Sequence, residues 1–220
     1  MKYISHLDLH RLFKRSLKKA GIRTDYSKGF NPHEIVNVVQ PLSLGFESSS
    51  EYFELETPDT VDRAVMEELN RSLPMGIAFT YLKKLPLQKK NLSAYSEYAT
   101  YRFSVPAQLT EEQTRQLQSF MDQPQIMVLK RSKKTKEPVA KDVRSQIRSF
   151  QVSYEDGRIL GECMLRCASN ETLNPLPLVQ ALCAYACVEV CSSIAIRRLE
   201  LYGLKDGRLI SLPEIYDEVL

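Results

Sequence analysis

The order of helix-like and strand-like segments constrains the fold of this chain more than any other feature of its sequence. In the stretch SEYFELE, Phe53 and Leu55 alternate with Glu54 and Glu56, which is typical of a half-buried strand. Each half of the chain reads approximately as strand, helix, strand, strand, helix, strand, with the first strand of the first half truncated. This order predicts an α+β protein built from two tandem ferredoxin-like (βαββαβ) units, each an antiparallel sheet with helices on one face.

The same patterns set the predicted boundaries of the elements and domains. The predicted helices cover residues 5–20, 61–73, 111–121 and 175–186, and the predicted strands cover residues 1–4, 22–27, 34–40, 50–56, 77–84, 98–105, 126–131, 148–155, 158–167 and 194–201. The chain then divides into an N-terminal unit (1–90), a C-terminal unit with a basic loop (91–203) and a C-terminal tail (204–220), which we expect to pack on the second unit.

Charge is strongly segregated along the chain, although the formal net charge is only +3. Residues 11–23 carry a local charge of +6, residues 83–90 carry +4 and residues 130–148 carry +6, so the rest of the chain is acidic. A surface that binds a polyanion needs such segregation.

The sequence also bears on compartment and cysteine chemistry. No apolar run approaches the roughly 18 residues of a membrane span, and the start lacks a secretory signal, so we expect a cytoplasmic protein without membrane contact. Cytosolic thiols stay reduced, which argues against disulfides. The spacing C-x3-C-x3-C at Cys183, Cys187 and Cys191 differs from that of iron–sulfur and zinc sites, and we expect one buried helical stripe instead.

Three motifs in the first 45 residues are more specific than composition. They are the segment Ser5, His6, Leu7, Asp8, Leu9; the turn Tyr26, Ser27, Lys28, Gly29, Phe30, Asn31, Pro32, His33; and the triplet Pro41, Leu42, Gly45. Together they resemble the N-terminal block of the uncharacterised radical SAM-associated (radical SAM-linked) protein family, whose members are encoded beside a radical SAM protein or fused C-terminally to it. The resemblance implies a radical SAM protein as partner and no established activity or cofactor.

Two departures from that family pattern are visible. Family members usually carry about ten more residues before the first motif, so we expect the natural start of this chain to lie upstream. Glu34 also stands where the family commonly has a second proline.

Turn geometry explains part of the second motif. Gly29 supplies backbone freedom, and Asn31 with Pro32 ends the turn in an extended conformation. Geometry does not explain Tyr26, Lys28, Phe30 and His33. These four side chains either face outward and bind single-stranded RNA by stacking and charge, or Phe30 fills the core and Lys28 is ordinary solvated charge.

The predicted RNA-binding residues come from the basic helix, the turn and the basic loop. They are Arg11, Lys14, Arg15, Lys18, Lys28, Phe30, Lys130, Arg131, Lys133, Lys134, Lys136 and Arg144. Cations at these positions give affinity for phosphates without sequence preference.

The three histidines suggest a different kind of site. His6 and His10 share one helix face and, with Asp8, could chelate a metal, but the glutamate of an H-E-x-x-H motif is missing. We favour hydrogen bonds from His6 and Asp8 that fix the neighbouring turn, with His33 close by. An RNA-processing or metal-dependent enzyme that uses His6, Asp8 and His33 stays an alternative.

The leading functional hypothesis is a non-catalytic accessory protein that presents a structured RNA, such as tRNA or rRNA, to a radical SAM partner. The alternatives are the enzyme just described and a module that only docks the partner protein. No cofactor is expected.

Overall fold

The structure is a computed structural model that describes residues 2–85, 90–131, 137–190 and 194–216, without the side chain of Arg131. Its helices are α1 (His6–Lys19), α2 (Arg63–Ser72), α3 (Glu111–Ser119) and α4 (Pro175–Tyr185). Its strands are β1 (Val36–Val38), β2 (Glu47–Ser48), β3 (Phe53–Leu55), β4 (Ser96–Pro106), β5 (Met127–Arg131), β6 (Pro138–Asp142), β7 (Ile147–Glu155), β8 (Arg158–Arg166), β9 (Ala195–Lys205) and β10 (Arg208–Ser211). The chain is therefore a mixed α+β protein.

The C-terminal half is built on one large sheet. Its main strands lie in the order β10, β9, β4, β8, β7, and each neighbouring pair is antiparallel. Helix α3, followed by the β5–β6 hairpin, connects β4 to β7, and α4 connects β8 to β9. Buried side chains of β4 and of both helices belong to one core, so the two helices cover the same face of the sheet. In this half the order agrees with the predicted strand and helix succession, except that β6 and β10 were not predicted.

Local signals at the helix ends explain where the C-terminal helices start. Thr110 and Gln113 form the predicted capping box at α3, and Pro175 occupies the first turn of α4 behind the N-cap residue Asn174. Helix α4 ends earlier than the cysteine pattern predicted.

The predicted cysteine stripe is wrong for Cys187. The helix closes at Tyr185, and Cys187 follows with a positive φ of 50° while Val188 N–H bonds back to the Cys183 carbonyl at 2.8 Å. Cys187 is exposed as a result, whereas Cys183 is buried. Burial raises the pKa of the Cys183 thiol to about 11 and that of Cys163 to about 12, so both are unreactive core side chains. Cys191 lies outside the described residues.

The N-terminal half does not confirm a second ferredoxin-like unit. Helices α1 and α2 pack beside a ladder of only two strands, β1 and β3, around a small core that includes Leu17 and Leu69. The predicted strands at 22–27 and 77–84 are not strands in the structure, and neither are residues 2–4.

A side chain explains why the segment at 77–84 does not join a sheet. The Asn70 amide accepts from Phe79 N–H at 2.7 Å and donates to the Phe79 carbonyl at 2.8 Å. Both backbone groups that a ladder would use are therefore satisfied by one residue of α2. The segment at 22–27 makes separate backbone hydrogen bonds, such as that from Asp25 N–H to the Glu56 carbonyl at 2.8 Å, and a bridge between Tyr26 and Glu34, but no continuous ladder.

The two halves meet along β9, where β2 pairs with it in parallel. Arg198 on β9 is 2% exposed, and its guanidinium donates to the Glu51 carboxylate at 2.9 Å and to the Gln40 carbonyl at 2.6 Å. Burial alone would lower the pKa of Arg198, but Glu51 outweighs it and keeps the pKa above the ordinary value. Next to it, the exposed Arg197 pairs with Glu47 at 2.7 Å.

The start of the tail packs on the second half. Strand β10 pairs with β9, and Leu212 and Ile215 are buried beyond it. Within the described ranges, no helix combines the length and the apolar character needed to cross a membrane.

The two neighbouring arginine pairs at β9 predict very different effects on stability. We expect Glu51→Gln to lower the free energy of unfolding by about 3 kcal/mol, because it leaves the buried Arg198 charge uncompensated. The matched variant Glu47→Gln removes the partner of the exposed Arg197 and should cost less than about 1 kcal/mol. Urea denaturation of both variants measures the difference, and equal losses would contradict this role for Arg198.

Candidate nucleic-acid interface

Helix α1 separates an apolar face from a basic one. Phe13 and Leu17 are buried against the N-terminal core. The opposite face carries the basic side chains Arg11, Lys14, Arg15 and Lys18. The predicted basic face of the helix is therefore present.

The first turn of α1 is held by its own side chains. Ser5 caps the helix, since its Oγ accepts from Asp8 N–H at 3.1 Å and donates to the Asp8 carboxylate at 2.7 Å. The Ser5 hydroxyl, with Arg11 at 3.2 Å, lowers the pKa of the Asp8 carboxyl. Asp8 is thus an ionised partner of the helix start.

Glu34 joins the chain after the turn to the basic face of α1. Its carboxylate lies 3.1 Å from Lys14 Nζ and 3.3 Å from Lys18 Nζ, and its side chain is only 10% exposed. Burial alone would raise the pKa of Glu34, but the two ammonium groups outweigh it and hold the pKa below its usual range. The residue that departs from the family pattern therefore docks the turn on the helix.

An open groove of about 390 Å³ lies along this face. Its lining residues are Asp8, Arg11, Lys14, Arg15, Lys18 and Glu34. Four cations and two carboxylates give the groove a formal charge of +2. Its size and sign suit an extended anion better than a single small ion.

The turn at 26–33 is closed by one residue pair. Ser27 N–H donates to the His33 carbonyl at 2.8 Å, and the Ser27 hydroxyl lies 2.8 Å from His33 Nδ1 and accepts from His33 N–H at 3.1 Å. Gly29 has a φ of 147°, a backbone conformation that residues other than glycine rarely adopt. These contacts hold the base of the turn and leave its tip in solvent.

The four side chains that turn geometry did not explain all face outward. Phe30 is 107% exposed and Tyr26 is 54% exposed, while Lys28 and His33 are also exposed. The alternative in which Phe30 fills the core is wrong. We call the basic face of α1 (Arg11, Lys14, Arg15, Lys18) together with residues 26–33 the helix–turn surface.

The histidines do not form the arrangement that the sequence suggested. His6 is exposed, and its ring centroid lies 6.3 Å from that of His10, whose Nε2 faces the Val36 carbonyl at 3.0 Å. In the described part of the chain, no hydrogen bond links His6 or Asp8 to the turn, which is fixed by Ser27 and Glu34 instead. Among those residues, no group of three or more metal-ligating side chains could hold a metal ion.

The described flanks of the basic loop are engaged with the protein. Lys130 Nζ donates to the Thr172 carbonyl at 3.0 Å, and the Arg144 guanidinium donates to the Met121 carbonyl at 3.3 Å. Arg144 is thus a structural residue as much as a candidate contact. Lys133, Lys134 and Lys136, with the side chain of Arg131, lie outside the described part of the structure.

Sequence reasoning missed the roles of Glu34 and Ser27. For Glu34 a signal was present, because two lysines one helical turn apart on α1 can share one carboxylate. Ser27 gave no such signal, since a short hydroxyl in a turn has many possible partners.

Comparisons with known proteins identify a family and a distant fold neighbour. The family model described as "Uncharacterized protein conserved in bacteria (DUF2344)" matches residues 1–175. A search of curated proteins found no match. A chain in the solved structure described as "Crystal Structure of a Cbf5-Nop10-Gar1 Complex" is 12% identical with a TM-score of 0.47, over 95% of this chain and 50% of that one. The chain thus spans about half the length of that neighbour.

The docking of Glu34 predicts a specific pH dependence. Wild type should be more stable than Glu34→Gln by less than about 1 kcal/mol at neutral pH, since the pairs are partly exposed. A carboxyl whose folded pKa is lowered stabilises above its ordinary value of 4.5, and this stability is lost as the pH falls through the lower folded pKa. Urea denaturation of both proteins from neutral pH to pH 3 tests this, and a gap that persists at the acidic end would contradict it.

Proposed function

We propose that this chain, which belongs to the family of uncharacterized proteins conserved in bacteria (DUF2344), binds RNA through its helix–turn surface. The observation that carries the proposal is the outward display of Tyr26, Lys28, Phe30 and His33 beside the basic face of α1. RNA-binding surfaces combine rings that stack on bases with cations that meet phosphates.

The turn and the helix contribute different interactions to RNA binding. The Phe30 ring is fully exposed on the turn, so it gains no stabilisation from burial in the folded protein. It can stack on an unpaired base. Arg11 pairs with Asp8 in an exposed contact, so its guanidinium can exchange that carboxylate for a phosphate at little cost. Lys14 and Lys18 are held by Glu34 and set the position of the turn.

A finer proposal concerns the partner. We propose that the chain presents a structured RNA, such as tRNA or rRNA, to a radical SAM protein and is itself non-catalytic. This part rests on the resemblance of the three N-terminal motifs to the radical SAM-associated family, and not on a contact in the structure. Purification of the intact complex, followed by sequencing of any nucleic acid in it, tests it. A radical SAM partner with enriched RNA supports the proposal, whereas a partner without RNA would favour a docking module.

Charge neutralisation on α1 predicts weaker and less salt-sensitive binding. The double variant Arg11→Gln with Arg15→Gln leaves the Glu34 pairs in place and should lower affinity for bulk tRNA about tenfold at about 50 mM salt. The slope of log affinity against log salt should fall by about 1.4–1.8, because two phosphate contacts are lost.

The matched control for this variant lies on α2. Arg63→Gln with Arg71→Gln removes the same charge from two exposed helical arginines, each paired within its own helix. It should leave affinity and slope unchanged. An equal loss in the control, or no binding of tRNA or rRNA by wild type, would contradict the proposed function.

Removal of the exposed ring should lower RNA affinity without changing its salt dependence. Phe30→Ala should cost about 1–3 kcal/mol of RNA binding and leave the salt slope unchanged, because stacking is lost and charge is not. Unfolding should be unaffected, since Phe30 is fully exposed. Binding titrations at several salt concentrations, with a melting curve, measure both effects. RNA cleavage that is lost in His33→Ala would instead favour the enzyme alternative.

A further inference from the structure

The face of the C-terminal sheet opposite α3 and α4 carries arginines that no sequence cluster revealed. On β4, the buried Tyr101, Phe103 and Val105 face the helices, so Arg102 and Ser104 between them point to the other side. The arginines on this side come from four strands, and we call them the arginine face: Arg102, Arg148, Arg158, Arg166 and Arg197.

Three of these arginines lie beside the C-terminal half of β4. The strand register places Arg102 directly opposite Arg197 of β9. Arg158 Nε donates to Ser104 Oγ at 2.8 Å, one position along the same side of β4. Like charges directly opposite each other in a sheet are destabilising, so an anion bound here would relieve repulsion.

The carboxylates nearby do not block such an anion. Arg102 pairs with Glu162 at 3.1 Å and Arg197 with Glu47 at 2.7 Å. All four side chains are between 43% and 65% exposed, and exposed ion pairs contribute little net stability. A phosphate can therefore replace a carboxylate at either arginine.

An aromatic ring lies further along the same side of β4. The guanidinium carbons of Arg148 and Arg166 lie 5.3 Å and 5.5 Å from the Tyr98 ring centroid. Tyr98 lies four residues before Arg102, a distance of about 13 Å along a strand. Because Arg148 is exposed, a base can stack on the plane of its guanidinium, which the Tyr98 ring supports.

We propose that the arginine face binds single-stranded RNA, with a base at Arg148 and Tyr98 and a phosphate between Arg102 and Arg197. Both elements of single-strand binding, a stacking platform and a row of cations, are present on two central strands and their neighbours. This site is separate from the helix–turn surface and goes beyond the function proposed for that surface. An acidic protein would find the cations but has no base to stack on Tyr98 and Arg148.

The test uses a labelled single-stranded RNA of about 12 nucleotides, within the range that such surfaces cover. All variants are made in the background Arg11→Gln with Arg15→Gln, so that the helix–turn surface is already weakened. In that background, Arg102→Gln with Arg197→Gln should lower affinity at least about fivefold and reduce the salt slope by about 1.4. The control Arg63→Gln with Arg115→Gln removes two exposed arginines of α2 and α3, elsewhere on the molecule, and should change neither.

Stacking is tested separately from charge. Tyr98→Leu should lower affinity about tenfold with an unchanged salt slope, and a melting curve checks that this half-buried position still folds. If Tyr98→Leu does not fold, Arg148→Gln at an exposed position serves instead, with an expected loss of affinity of at least about fivefold.

Three results would overturn the inference. They are no binding of single strands in the Arg11→Gln, Arg15→Gln background, equal losses in the arginine-face variant and its control, and competition by poly-glutamate as effective as that by RNA at equal charge. In each case the proposed function is decided independently, by the loss of bulk tRNA affinity in Arg11→Gln with Arg15→Gln relative to its control on α2.

Discussion

The contact on which the architecture depends is the burial of Arg198 between the two halves of the chain. A guanidinium that is 2% exposed must be neutralised where it lies, and the Glu51 carboxylate and the Gln40 carbonyl, both from the N-terminal half, do this. The same segment adds β2 to β9, and Tyr52 donates to Glu200 on β9 at 2.5 Å. The N-terminal half, with only a small core of its own, is thereby fixed to the large sheet.

Acidic residues position the candidate interface in a similar way on the surface. Glu34 occupies Lys14 and Lys18 and so orients the turn, while Arg11 and Arg15 stay near solvent. Lys14 and Lys18 therefore have a structural role, whereas Arg11 and Arg15 can contact a ligand. This division also explains how a chain with a net charge of only +3 can present a locally basic groove.

The secondary structure of the C-terminal half could largely be predicted from the sequence, and that of the N-terminal half only in part. Periodicity and caps such as Thr110 with Gln113 are local signals, so every helix and strand from β4 to β9 except β6 could be predicted. The absence of a strand at 77–84 depends on the two hydrogen bonds between Asn70 and Phe79. The junction of the two halves depends on the pair of Glu51 with Arg198, which are 147 residues apart. No local pattern encodes such contacts. Likewise, the motif identified the turn at 26–33, but only the structure shows that Phe30 points away from the core.

The central claim is that the helix–turn surface binds RNA, and amide hydrogen exchange with and without bound tRNA tests it most directly. The account predicts slower exchange in residues 26–33 and in the solvent-facing turns of α1, with little change in α2. Those amides are distributed over the elements that Glu34 joins, so their protection should appear together. Protection confined to other parts of the chain, with exchange at 26–33 unchanged at saturating tRNA, would contradict the claim.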